Sequence, residues 1–159
     1  MNSSHIRTLA TDQCCFHTRI VVLGYALMVS APAMAAEIVT MEVETQVLDL
    51  DAGTVVDTLT EELTAPNGAD VQLAYNADRT PHVVVFPVGE GVELAFVVSV
   101  GFDGISSSDV SDLAFSTEPM DLPFSANDCV VIRTDQGMFF KLGNATESGL
   151  SITFNYELL

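Results

Sequence analysis

The sequence contains no tryptophan, and its five lysines and arginines stand against 22 acids, a formal charge of −17. Without Trp, and with few aromatics on outward faces, no sugar-stacking cleft is visible. The acidity repels nucleic acid phosphates and anionic lipid headgroups, so neither is expected as a partner. Cysteine is as scarce: of three, Cys14 and Cys15 lie near the start and only Cys129 lies beyond residue 35, which leaves no intramolecular disulfide to form there. Histidine beyond that point is reduced to His82. Transition-metal sites need several His or Cys and are excluded on those numbers. A Cys nucleophile would lack a nearby base. No G-x-S-x-G elbow, H-E-x-x-H helix, CxxC pair or Gly-rich phosphate loop follows residue 35.

What is present begins with a processing signal. After "MNSSHIRTLATDQCCFHTR" comes the apolar run "IVVLGYALMVSAPAMAA". Its apolar core of roughly 12 residues suits the h-region of a signal peptide and falls short of the roughly 20 that span a bilayer. Ala33 and Ala35 supply small residues for cleavage after Ala35. Residues 1–35 are therefore expected to be a signal peptide and 36–159 one exported domain, periplasmic or extracellular, with no membrane insertion after cleavage. Losing Arg7, Arg19 and Asp12 takes the formal charge from −17 to −18. The remaining 124 of 159 residues suffice for one core.

The domain reads as strand after strand. In "IVTMEVETQVLDL", Val39, Met41, Val43 and Val47 alternate with polar residues, the period of a half-buried strand. "VELAFVVSV" places Val92, Leu94, Phe96, Val98 and Val100 on one face, "DVQLAYN" groups Val71, Leu73 and Tyr75, and "GLSITFNYEL" turns Leu150, Ile152, Phe154 and Tyr156 inward. "HVVVF", apolar on both faces, reads as a central strand bounded by Pro81 and Pro87. Turn signals separate these runs, and helix is confined to one or two short turns at Thr60–Leu63 and in "SSSDVSDL", where Val110 and Leu113 would face inward. The expected fold is all-β: an antiparallel β-sandwich or barrel of roughly 7–9 strands.

Register can be read in "CVVIRTDQGMFFKLG". A three-residue loop, Asp135 to Gly137, lets Gly137 take positive φ as a G1 bulge requires, and sets Ile132 across from Phe140 and Val130 across from Leu142. A two-residue loop would mix the faces. Arg133 and Lys141 then share the opposite face, off the core, where they would meet carboxylates as exposed pairs worth about 0–1 kcal/mol. Cys129, opening a hydrophobic strand, is expected to be buried.

The segments "DLDAGTVVD", "DVQLAYNADRTPHVVVF", "VVIRTDQGMFFKLGNA" and "ITFNY", covering most of residues 46–156, resemble small exported bacterial all-β domains of unassigned role, with a DLD-x-G opening and a T-x-x-G hairpin followed by Lys. The resemblance implies the fold and no activity.

Calcium is the one ion with a claim on this pattern. Asp49, Asp51 and Asp57 are the candidate ligands, since Asp49-Leu50-Asp51-Ala52-Gly53 resembles the start of a carboxylate loop. Its Gly comes one place early for an EF-hand, and no Glu stands at position 12; acids ending a strand at a Gly turn is the alternative. "FDG" at Phe102 to Gly104, with Asp109 and Asp112, forms a second acidic loop. Two function classes stay open. One is a non-enzymatic exported β-domain, a binding module for a protein or small ligand or a self-associating structural subunit. The other is a hydrolase using carboxylates, or His82 with a Ser.

Overall fold

The computed structural model describes residues 35–58, 68–76 and 83–159. The chain divides into two units, Met1–Pro32 and Ala33–Leu159, and every described element belongs to the second. Residues 1–34 of the segment expected to be a leader, Thr60–Leu63, Pro81 and His82 lie outside the described residues.

Among the described residues ten strands form two antiparallel five-stranded sheets. The strands are β1 (Glu37–Glu42), β2 (Gln46–Asp49), β3 (Thr54–Asp57), β4 (Val71–Tyr75), β5 (Val83–Pro87), β6 (Glu93–Val97), β7 (Met120–Asp121), β8 (Cys129–Arg133), β9 (Phe139–Ser148) and β10 (Ser151–Leu158). One sheet runs β1-β10-β9-β8-β6, the other β3-β2-β4-β5-β7. Two 3-10 turns, Phe102–Gly104 and Val110–Asp112, are the described helical elements. The fold is thus the expected all-β sandwich, with ten strands instead of 7–9. The excess has two visible sources: "IVTMEVETQVLDL" is broken into two strands, and β7 is a two-residue strand with no alternation to announce it.

The break comes at Glu44, whose φ of 67° turns the chain from one sheet into the other. Met41 and Val43 before it, and Val47 and Leu48 after it, are all buried. The apolar alternation therefore survives a turn that it could not reveal. Between the sheets lies the main core, with Met41, Leu48, Leu73, Leu94, Ile132, Leu142, Ile152 and Phe154 essentially without exposure. Each such side chain contributes roughly 1.5–3 kcal/mol by leaving water.

Strand β8 is buried on both faces, because a second cluster covers its outer side. There Cys129, Val131, Val97 and Ile105 pack with Leu113, Phe115 and Leu159. The long connection between β6 and β7 supplies Ile105, Leu113 and Phe115, which makes that face of the sheet interior. Val110 is buried and Leu113 half-buried, as the helical-turn reading expects.

Strand ends depart from simple alternation. Val98 and Val100 are exposed, since β6 stops at Val97 and Ser99 takes a φ of 64°, and Phe96, still within β6, is exposed as well. Tyr75, the last residue of β4, and Leu150, in the turn between β9 and β10, are also exposed. In β9 a bulge at Asn144 (φ 54°) shifts the pairing with β10 from Thr146–Thr153 to Gly143–Asn155. Gly143 itself sits under a ring: a Cβ there would lie 3.1 Å from Phe102 Cδ2. Among the described residues no helix is long and apolar enough to cross a membrane.

Candidate functional site

The β8–β9 hairpin has the register read from its sequence. Ile132 pairs with Phe140 and Val130 with Leu142, while Thr134 and Met138 close the loop through Thr134 N–H to Met138 O (2.9 Å). Gly137 adopts φ 79° and donates to Thr134 O at 3.0 Å. This loop holds Asp135 out at its tip, exposed.

The cations of the hairpin are placed differently from expectation. Arg133 is half-exposed, paired with Glu93 and stacked 5.5 Å from the Phe115 ring centroid. Lys141 is buried: its ammonium donates to Ile105 O at 3.1 Å, pairs with Glu157 at 3.3 Å and lies 4.7 Å from the centroid of the Phe102 ring. Lys141 does face away from the inter-sheet core. That face is not solvent, because the β6–β7 connection covers it.

Two further loops approach Asp135. The β2–β3 turn carries Asp51, and the residue preceding β4 is Asp70. Asp70 is fixed by its backbone, its N–H donating to Leu48 O and its carbonyl accepting from Val88 N–H, both 2.9 Å. Carboxylate oxygens of Asp51, Asp70 and Asp135 all lie within 4.8 Å of one another. The group therefore joins two loops of one sheet to the hairpin tip of the other.

Asp70 is wholly buried. Its Oδ2 accepts the Leu50 N–H at 2.8 Å, and its Oδ1 has no hydrogen-bond partner among the described residues. Both oxygens of Asp51 are likewise covered and unpartnered. Burial raises the Asp70 pKa to about 6; the Leu50 amide opposes this, and the charges of Asp51, Asp49 and Asp135 reinforce it. Asp51 is also raised, first by burial, then by Asp135 and Asp49, with the nearby Thr134 hydroxyl pulling the other way without closing to a hydrogen bond. Buried carboxylates normally have their lone pairs occupied, and leaving them empty is costly. A proton or a cation would relieve this arrangement.

Of the three acids that the sequence marked, the structure brings one into this group. Asp51 belongs to it. Asp49 lies beside it but spends Oδ1 on the Ala52 N–H at 2.8 Å, and Asp57 accepts from Gln46 Nε2 at 2.8 Å at the far end of β3. Asp70 and Asp135 were missed because they come from distant loops. A faint signal existed for Asp70, an acid between the buried Ala69 and Val71. In the second acidic loop Asp109 accepts from Ser106 N–H and Oγ at 2.9 and 2.6 Å, bonds that lower its pKa and brace the turn. Cys129 is buried and free, its thiol pushed up by burial, with Lys141 opposing and Asp128 adding.

Asp51 also borders a surface cleft of roughly 210 Å³, lined by Glu37, Gly53, Phe140, Tyr156 and Glu157 among others. Tyr156 donates to Glu37 there at 2.6 Å; burial and then Glu37 raise its pKa to about 12. No family model matches the sequence, and neither a curated protein nor a solved structure matches it.

Proposed function

We propose that this chain is a non-enzymatic exported β-domain that works by binding or by self-association through a sheet edge. The observation that carries the reading is β1: six residues long, it ends its sheet with one side unpaired among the described strands, and Ile38 on it is 74 % exposed. A free strand edge is a template for a further strand, from another copy or from a partner. Supporting it, the described thiol and cations are committed to structure: Cys129 is buried, Lys141 is held by Ile105, Glu157 and Phe102, and Arg133 by Glu93.

Sedimentation velocity over a concentration range, run beside a panel of ester, peptide and glycoside substrates, tests this. Association that Ile38→Lys abolishes, with no turnover, is the expected result. Turnover that His82→Ala or Asp51→Asn removes would overturn it in favour of a hydrolase.

A further inference from the structure

We propose that Asp51, Asp70 and Asp135 hold one calcium ion, and that this ion ties the two sheets together at the hairpin end of the sandwich. An acidic group alone would not carry this. The independent observation is Asp70, which has no exposure yet keeps Oδ1 without a hydrogen-bond partner among the described residues, beside two other carboxylates. A lone acid on a polar face is solvated; this one is shut away from water and aimed at charges of its own sign.

The donor set selects the class of ion. All the donors are hard carboxylate oxygens, with no His or Cys among them, which suits calcium or magnesium over zinc or copper. Calcium is favoured between the two. Calcium takes oxygens at about 2.3–2.6 Å in an adaptable shell, so ligands on opposite sides of it stand nearly 5 Å apart, and the three carboxylates span up to 4.8 Å. Magnesium wants oxygens at about 2.0–2.1 Å in a strict octahedron and keeps most of its own water.

The burial gradient gives the ion a way in. Asp70 lies at the bottom, Asp51 is partly covered and Asp135 is exposed at the hairpin tip. Water and backbone oxygens would complete the shell. With one of three ligands exposed, affinity should fall near the weak end of calcium sites, about 10⁻⁴–10⁻³ M. This inference is independent of the edge-strand reading and can fail without it.

The experiment uses chelator-treated protein, followed by thermal melts and titration calorimetry with calcium, magnesium, and sodium chloride at matched ionic strength. Expected are one calcium per chain and a rise in Tm on the order of 5 °C at saturating calcium, with a smaller rise in magnesium and none beyond screening in sodium. Asp70→Asn should lose the calcium response. Asp135→Asn, at an exposed position that does not bear on folding, should weaken binding by about tenfold or more. Asp57→Asn, outside the group, should leave binding unchanged. The proposal is overturned if calcium does no more than sodium, or if Asp70→Asn and Asp135→Asn both respond to calcium as the unaltered protein does.

Discussion

The Lys141 ammonium lies 4.7 Å from the centre of the Phe102 ring, inside the protein and beneath the carbonyl of Ile105. Alanine at 141 would strand Glu157 and that carbonyl, and breaking a buried pair in this way costs about 3–5 kcal/mol. Lys141→Ala should lose stability near the lower end of that range, because Glu157 is partly exposed. Lys141→Met, which keeps the stem and the ring contact, should lose less. Denaturant midpoints of the two variants measure the difference.

On the same hairpin, Gly137→Ala should cost about 1 kcal/mol. Nothing lies within 4 Å of the added Cβ, so the cost comes from φ 79° alone. Phe140→Ala should cost about 3–5 kcal/mol through lost burial and the cavity left behind. Chemical denaturation should therefore rank Phe140 and Lys141 well above Gly137.

Asp70 makes the ion-free protein respond to pH in the sense opposite to most aspartates. Its pKa rises from 3.8 unfolded to about 6 folded, with Asp51, Asp49 and Asp135 facing it. Between those values the folded state holds more protons than the unfolded one, so this group's contribution falls as pH rises through the window. By pH 7 its charge costs on the order of 3 kcal/mol relative to the protonated form. In chelator, unfolding measured from pH 7 down to about 4 should show a gain from this carboxyl that Asp70→Asn removes.

Cys129 should resist a thiol reagent in the folded protein and react once denaturant is added, since the side chain has no exposure and burial disfavours its thiolate. Rapid labelling of native protein would contradict the packing of the outer cluster.

Mass spectrometry of the protein exported from a host carrying the full sequence should find a chain beginning at Ala36. An intact leading segment would remove the basis for assigning export.

Alternation was enough to read the hairpin register, because Val130, Ile132, Phe140 and Leu142 form one apolar face in only one pairing. It was not enough to place Lys141. A strand's own sequence distinguishes its two faces without saying what covers the second, and here the cover is the β6–β7 connection, whose Ile105, Leu113 and Phe115 are scattered among polar residues. The acidic group was half legible for a similar reason. Asp51 stood in a recognisable DLD-x-G turn, whereas Asp70 and Asp135 join it only through the packing of one sheet's loops against the other's hairpin. The turn at Glu44 left no trace, since the same side-chain period runs through it.

The place of β1 sets the order in which the molecule can be completed. Glu37 pairs with Tyr156, 119 positions later, and β1 is hydrogen-bonded to β10 along its whole length. A chain emerging from its amino end therefore carries β1 with no partner until nearly all of the domain has been made. Contacts so distant in sequence form slowly. The first strand must stay soluble through that interval, and its two flanking glutamates, Glu37 and Glu42, supply the charge that guards an unpaired edge against premature pairing.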